Sequence, residues 1–469
     1  MGEDQVEVQG ESRDETQDGG AVAPRRRRGW RQRLAAILHG SGGGGRPQPA
    51  PRHVVDPDLV PLLTELGVGL LDAGQATNEV EDALRQISRT RGEAEVRAFV
   101  VPTGVMVQVD EPDDVRTYYE SSTGSGFHLD QVGALDTLVD DVAQARVSLR
   151  DARARLAEIA AAPARFGPVV AVLGHVLLSV GFALLQQPTA GSVAGVAALG
   201  LVVGVLQVSV PRGSAIANAL PVLASFLVTV LAIGVVGPLV DAGLVDLVAP
   251  PLVSLLPGAA LTTATMELTH HQVVSGASRL VYGLGQLLLL AFGVVAGVAA
   301  VGTPDPVAGS PLPAWVAYVG VALVAGGDVL FSSAPRWSLG WIALTLYAAF
   351  VAQAAGAVLL SPQLSGFLGG FVLVVVARLV ARAPTGPSRL VTTLPGFWLL
   401  VPGSLGFIGI SEVATSGAQA VTELVDMVLA LFAIALGIMT GTAVSRQAST
   451  LTRTLYRHAP DLRNDRRRS

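Results

Sequence analysis

The sequence predicts a mainly α-helical integral membrane protein. About ten transmembrane helices are expected as two five-helix inverted repeats, preceded by a small α/β cytosolic domain. A hydrophobic block covers about 168–444 and divides into roughly ten pieces of membrane-spanning length. Arginines occur at alternate junctions between the pieces, and Pro-Gly interrupts the block at Pro257-Gly258 and again at Pro402-Gly403. Because the bilayer core offers the backbone no hydrogen-bond partners, the pieces must be helices.

Composition divides the chain into a polar part and a membrane part. Half of the 469 residues are hydrophobic and only 15% are charged, whereas soluble domains have about 25% charged residues. Most of the charges precede residue 167, so the net charge of -5 averages two different regions and predicts no nucleic-acid partner. The absence of cysteine excludes disulfides, thiolate metal sites and cysteine nucleophiles.

Five regions follow from these changes in composition. Residues 1–53 lack a signal-peptide pattern and predict a disordered cytosolic tail. Residues 54–166 predict a cytosolic α/β domain. The two membrane repeats are expected over 167–301 and 313–445, and an arginine-rich cytosolic tail over 446–469.

The region before the membrane block has helix and strand patterns. Apolar residues at helical spacing predict a helix over about 57–90, kinked or divided in two at Gly74. Alternating apolar residues predict strands over 96–101 and 104–109. A further long helix is predicted over about 131–161.

Two polar stretches in this region allow more than one interpretation. The stretch from Gly74 to Glu81 fits a helix start capped by Thr77 or Asn78, and it also fits a binding or catalytic site. The acidic residues of 110–114 fit a solvated turn better than a metal site, since no histidine is nearby in the sequence.

The membrane pieces are each close to the about 20 residues needed to cross a bilayer. They are predicted at 168–186, 190–210, 215–237, 243–266, 279–301, 313–332, 337–357, 363–381, 389–410 and 420–444. Arginines flank one set of ends, at positions such as Arg212, Arg279, Arg336 and Arg389, and the opposite set has none. Cytoplasmic loops carry the excess of arginine, so ten crossings place both termini in the cytoplasm of a multi-pass cell-membrane protein.

The two Pro-Gly breaks fall in the fourth and ninth pieces, so the repeat unit is five helices. An odd unit inverts its orientation, and matched broken helices in inverted halves are typical of secondary transporters. Freed amides at such breaks suit a carboxylate; the alternative is a plain proline kink. The expected substrate-binding residues are Pro257, Gly258, Thr262, Pro402, Gly403 and Ser404.

Ionisable residues inside the bilayer cost free energy and call for a reason. Asp328, Asp426, Glu267 and His175 are candidates for proton coupling. Asp328 is also consistent with a carboxylate that snorkels toward solvent. His175 is also consistent with an interior histidine whose ring nitrogens are hydrogen-bonded within the protein. Glu267 and His270 share a helix face, but one such pair without a second set predicts no metal.

These residues resemble the threonine/serine exporter family. The resemblance rests on 257–262, Glu267, Ser275-Gly276, Arg279 and 400–404, together with Gly74 to Glu81 and 102–105. It implies a ten-helix exporter of threonine and serine, driven by the proton motive force, with a cytosolic N-terminal domain. Many members carry Asn in place of Thr263, Asp in place of Glu267 and Asp in place of Gln272. These differences bear on the identity of the transported amino acid.

The leading hypothesis is therefore a non-enzymatic secondary exporter of small hydroxy amino acids, working as a proton antiporter without a cofactor. Its expected partners are the amino acid, protons and the lipid bilayer, and homo-oligomers are allowed. The alternatives are a membrane-tethered enzyme or sensor acting through residues 54–165, and a passive channel. The absence of a phosphate-binding loop argues against a self-contained ATP pump.

Overall fold

The fold is that of a mainly helical, multi-pass membrane protein. The computed structural model describes residues 56–91, 96–111, 114–122, 124, 126–211, 214–240, 242–302, 310–400 and 420–458. Within these residues, six helices are long and apolar enough to span a membrane, and two shorter apolar helices accompany them. The total of ten spans stays a prediction, because the fourth is broken and the ninth is described only as far as Leu400.

In the described residues, four helices precede the membrane block. Helices α1 (Leu59–Asp72) and α2 (Thr77–Thr90) are separate, and Gly74 turns the chain between them at a φ of +86°. The predicted single helix over 131–161 is wrong: it is divided into α3 (Leu129–Ala143) and α4 (Leu149–Ala161). Five residues, 144–148, separate the two, and Ser148 caps the start of the second helix because its side chain accepts a hydrogen bond from the Asp151 N–H.

A three-stranded antiparallel sheet lies between α2 and α3. Strands β1 (Val96–Val101), β2 (Gly104–Glu111) and β3 (Asp114–Ser121) pair in chain order. The first two coincide with the predicted strands. The third was missed, and the acidic residues predicted to form a turn belong largely to the ends of β2 and β3.

The core of this N-terminal region forms between α1 and β2. Leucines of α1 recur at helical spacing and are buried, among them Leu62, Leu63 and Leu66. On the sheet, Val105 and Val107 alternate with exposed residues and face these leucines. The buried face of an amphipathic helix against one face of a sheet is a stable two-layer arrangement.

The membrane block contains twelve further α-helical segments in the described residues. They are α5 (Pro168–Leu185), α6 (Ala190–Ser209), α7 (Ala215–Leu231), α8 (Gly237–Val240), α9 (Leu244–Val248), α10 (Gly258–Thr269), α11 (Val273–Val301), α12 (Val316–Phe331), α13 (Ser338–Leu359), α14 (Ser365–Val380), α15 (Arg389–Leu400) and α16 (Ala420–His458). A π-helical turn, Ala232–Val236, joins α7 to α8. The last helix continues past the predicted end at residue 444, to His458.

Glycines allow α5 and α12 to cross at very short distance. A Cβ on Gly327 would lie 2.5 Å from the Leu178 backbone nitrogen and 2.7 Å from the Gly174 carbonyl oxygen. Further along the same crossing, Gly181 on α5 lies equally close to the backbone of Gly320 on α12. Small residues at helix crossings are the usual basis of close packing in membranes, since lipid supplies no hydrophobic driving force between helices.

Two other helix pairs also cross at short distance through glycines. On α11, Gly293 and Gly297 pack against α7, where a Cβ on Gly297 would lie 2.7 Å from the Thr229 Cβ. On α16, Gly437 and Gly441 pack against α14, where a Cβ on Gly441 would lie 2.7 Å from the Phe371 carbonyl oxygen. Both pairs join the third and fifth pieces of a predicted half and use glycines four residues apart.

The N-terminal region docks on the membrane block at three junctions. The N–H of Leu129 donates to the Ser332 carbonyl at 2.9 Å, so the start of α3 meets the end of α12. The other two contacts are at Glu267, near the end of α10, and at Arg389, which opens α15. These three junctions therefore lie on one side of the block. Arg336 is four residues from Ser332, Arg279 bonds to Glu267, and Arg389 itself makes the third contact.

We expect Gly327→Ala to destabilise the protein and Gly326→Ala to leave it as stable as before or more so. The added methyl group at Gly327 meets backbone atoms of α5, and such overpacking costs about 1–3 kcal/mol. At Gly326 it meets nothing within 4 Å, so only the gain in helix propensity remains, about 1 kcal/mol. Thermal unfolding of both variants in detergent measures the difference. Equal unfolding temperatures for the two variants would contradict the tight crossing.

Candidate functional site

The first predicted break is present at Pro257-Gly258. A 3-10 turn, Pro250–Leu255, leads into Leu256, whose extended ψ of 133° ends the helical path. Helix α10 then starts at Gly258, and its first closed hydrogen bond runs from the Leu261 N–H to the Pro257 carbonyl at 2.9 Å. The amides of the first turn of α10 thus have no partner within their own helix, as at every helix start.

Threonines follow the break within one turn. Thr262 is fully buried, and its hydroxyl oxygen has no hydrogen-bond partner among the described residues. By contrast, the Thr265 hydroxyl donates to the Leu261 carbonyl at 2.8 Å. A buried hydroxyl without a partner costs free energy, so Thr262 is suited to meet a polar ligand.

Glu267 joins the membrane block to the N-terminal region. Its side chain is fully buried at the end of α10, and Oε1 accepts from Arg279 Nε at 3.2 Å and from the Thr77 N–H at 2.9 Å. Arg279 also donates to the Gln75 carbonyl at 3.3 Å. The second carboxylate oxygen of Glu267 has no partner in the described part of the chain.

The capping predicted for α2 is therefore wrong. Its N-cap is Ala76, which has no side chain to accept a hydrogen bond. The Glu267 carboxylate takes over this role, and a negative charge is favourable at the positive end of a helix. Glu81, the predicted capping partner, instead pairs with Arg85 at 2.9 Å.

A second ion pair connects the two regions at α15. Arg389 Nη2 donates to both carboxylate oxygens of Glu79, each at 3.0 Å. Both side chains are partly buried, at 27% and 20% exposure. The segment 74–79 thus bonds to the Glu267–Arg279 ion pair through the Gln75 carbonyl and the Thr77 N–H. At its end, Glu79 forms an ion pair with Arg389.

A pocket lies under this segment, where α10 and α15 approach each other. We call it the membrane pocket, and its cavity volume is about 40 Å³. Its lining consists of Gly74, Gln75, Ala76, Glu79, Thr263, Met266, Val374, Arg389, Leu390, Thr393, Phe397, Ile438 and Thr442. An apolar wall with a few convergent polar groups is typical of small-molecule sites.

His175 lies inside the first half, next to the segment that leads to the break. Its ring is fully buried, with Nδ1 2.9 Å from the Gly200 carbonyl and Nε2 2.8 Å from Ser254 Oγ. Because a carbonyl oxygen only accepts, Nδ1 carries a proton, and Nε2 accepts from Ser254 Oγ when the ring is neutral and donates to it when the ring is protonated. The ring therefore links α5 and α6 to the 3-10 turn before Pro257.

The two predicted aspartates lie apart from each other. Asp328 is buried on α12, where one oxygen accepts from Ser332 Oγ at 2.8 Å and the other has no partner among the described residues. Asp426 is partly buried on α16 and accepts from Gln363 at 3.4 Å, at the end of α14 remote from Arg389. The structure thus does not bring the predicted proton carriers into one cluster.

The structure joins some predicted residues and adds others. Gly258, Thr262 and Glu267 share α10, which Pro257 precedes as its N-cap, and His175 contacts Ser254 in the 3-10 turn before it. None of these predicted residues is in the lining of the membrane pocket. Pro402, Gly403 and Ser404 lie outside the described residues. Arg389 and Thr393 were not predicted as pocket residues; the motif from Gly74 to Glu81 carried a signal that could have led to them.

Comparison with known proteins gives one match. The model of the threonine/serine exporter (ThrE) family matches residues 61–301, which is 241 of 469 residues, or about half of the chain. Neither a search of curated proteins nor one of solved structures finds a match. The match covers the N-terminal region, the break at Pro257 and both ion-pairing residues Glu79 and Glu267. The chain therefore belongs to the threonine/serine exporter family, which is a family of membrane transporters and not of enzymes.

Proposed function

We propose that this protein is a secondary exporter of threonine, serine and similar small amino acids, with protons as the counter-transported ion. Membership of the exporter family gives the substrate class. The observation that carries the proposal is the membrane pocket between α10 and α15, beneath a segment held by two ion pairs. A transporter needs such a site at the meeting point of its halves.

The proposed architecture is two inverted five-helix halves. The helix pairs support it: α5 and α12, the first helices of the two halves, cross each other through paired glycines. The third and fifth helices pack together in each half, again through glycines four residues apart. Rocking of one half against the other would open the pocket to each side in turn.

The proposed orientation has both termini in the cytoplasm of the cell membrane. Its support is that the N-terminal region contacts only arginine-bearing junctions in the contacts described above. Arginine-rich loops remain on the cytoplasmic side during insertion. The membrane pocket then faces the cytosol through the segment 74–79, as an exporter loading its substrate requires.

In the proposed bound state, the start of α10 receives the carboxylate of the amino acid. Free amides and the positive end of the helix favour an anion there. The Thr262 hydroxyl, which lacks a protein partner, would bond to the substrate within one turn of Gly258. The second break, at Pro402-Gly403 with Ser404, is proposed to serve the other half in the same way.

Proton coupling is assigned to buried ionisable groups. Asp328 is the first candidate, because it is buried at 3% exposure and keeps one carboxylate oxygen without a partner in the described residues. His175 and Glu267 lie closer to the break, whereas Asp426 lies at the far end of the block. Protonation during transport would discharge such a group and allow the helices to move.

We expect Thr262→Val to raise the threonine concentration for half-maximal transport about tenfold, since one hydrogen bond to the substrate is lost. Thr262→Ser should retain transport. The matched control is Thr265→Val on the same helix, whose hydroxyl is already bonded within the helix. Concentration-dependent efflux of labelled threonine from proteoliposomes provides the measurement. Identical curves for Thr262→Val and wild type would remove Thr262 from the site.

We expect Asp328→Asn to abolish efflux driven by a proton gradient but to leave exchange of threonine without a gradient. The neutral side chain can still accept hydrogen bonds but cannot carry a proton. Labelled threonine efflux with and without a protonophore separates the two activities, and Asp426→Asn is compared alongside. Gradient-driven efflux that is unchanged in both variants would exclude these two residues as carriers, and efflux insensitive to the protonophore in wild type would indicate a channel.

Single introduced cysteines should show which side of the membrane each junction faces, because the chain has no cysteine of its own. His270→Cys, at an exposed junction next to the N-terminal region, should react with an impermeant maleimide only in inverted vesicles. Leu359→Cys, at the exposed opposite end of α13, should react only in intact cells. The reverse pattern, or labelling of both cysteines from one side, would contradict the proposed orientation.

A further inference from the structure

A second cavity opens between α2 and α3, on the other side of the Glu79–Arg389 ion pair. We call it the acidic cleft, and its cavity volume is about 190 Å³. Four carboxylates line it, from Glu79 and Asp82 on α2 and from Asp136 and Asp140 on α3. Arg389 is the one cationic side chain in its lining.

The cleft offers hydrogen-bond acceptors that the protein does not use. Asp136 and Asp140 form no ion pair within the described part of the chain, although a side-chain hydrogen bond from Ser388 reaches Asp136, and burial raises the pKa of Asp136 while the Arg389 charge acts to lower it. An independent feature points the same way: Gln75 is only 7% exposed, lines the cleft, and its side-chain oxygen has no hydrogen-bond partner among the described residues. A buried acceptor without a donor is costly, so the Gln75 oxygen and the neighbouring carboxylates suit a cationic donor.

An ammonium group fits this lining better than a metal ion. In the described residues, no three His, Asp or Glu side chains come close enough together to hold a metal. The cavity volume of about 190 Å³ also exceeds what a bare ion needs, since about 10–15 Å³ of such volume holds one water molecule. Arg389 supplies the complementary site for a carboxylate, since its planar guanidinium binds carboxylates with two hydrogen bonds.

We propose that the acidic cleft captures the amino acid from the cytosolic side before it enters the membrane pocket. The carboxylates of α3 bind its ammonium group, and Arg389 binds its carboxylate. This proposal rests on the exporter function and adds a loading site to it.

The ion pair between Glu79 and Arg389 then acts as the partition between the two cavities. Gln75, Glu79 and Arg389 line both the acidic cleft and the membrane pocket, so these three side chains separate the two spaces. A zwitterionic amino acid offers a carboxylate to Arg389 and an ammonium group to Glu79, and it can therefore replace each partner of the ion pair. An amine without a carboxylate can occupy the cleft but cannot release Arg389.

Equilibrium binding to the full chain in lipid nanodiscs tests the proposal, with labelled threonine as the probe. Asp140→Asn and Asp136→Asn should each weaken threonine binding about tenfold or more, as expected for a lost charged hydrogen bond. Glu158→Gln, an exposed acid on α4 outside the cleft, is the matched control and should bind like wild type. Asp140 is exposed, so its substitution leaves the core intact.

Threoninol, which lacks the carboxylate, tests the role of Arg389. Wild type should bind threonine more tightly than threoninol, and Arg389→Gln should remove that preference. Unchanged threonine binding in both aspartate variants would overturn the capture site, even if efflux proves the exporter function. Conversely, cleft-dependent binding in a wild-type protein that exports no threonine would refute the exporter function and leave the capture site standing, and absence of any threonine binding would overturn both.

Discussion

The buried carboxylate of Glu267 is the interaction on which the arrangement of the site depends. One oxygen accepts from Arg279 and from the first N–H of α2, 190 residues earlier in the chain. Removing one partner of a buried ion pair costs about 3–5 kcal/mol, because a charge remains without compensation. This one group therefore fixes three things together: the end of the broken fourth span, the start of the fifth, and the segment 74–79 of the N-terminal region.

This connection places the N-terminal region inside the proposed transport cycle. Its segment 74–79 forms part of the membrane pocket and at the same time bonds to α10 and to α15, which belong to different predicted halves. If one half rocks against the other, the hydrogen bond from Thr77 to Glu267 and the ion pair of Glu79 with Arg389 cannot both keep their present lengths. The segment must then move with one half and separate from the other, which would make it a gate on the proposed cytosolic side.

Local signals in the sequence were enough for the six helices that the structure describes as long and apolar enough to span a membrane, because hydropathy and proline positions act within about twenty residues. They located the start of α10 at Gly258 and the two helices on either side of Gly74. They missed β3, whose residues Asp114 to Ser121 are mostly polar and have no strong alternation. The partnership of Thr77 with Glu267 was out of reach, since no local pattern specifies which groups meet across 190 residues, and Arg389 looked like an ordinary flanking arginine.

The two predicted halves are alike in their glycine crossings but differ in how their arginines are paired. In the first predicted half, Arg279 near the start of α11 finds its carboxylate in Glu267 of the same half. In the second, Arg389 takes its carboxylate from Glu79 in the N-terminal region. Since Glu79 and Arg389 both line the membrane pocket, the carboxylate of the proposed substrate would compete with Glu79 for Arg389. Such competition favours reversible binding, because the arginine has a partner whenever the substrate leaves.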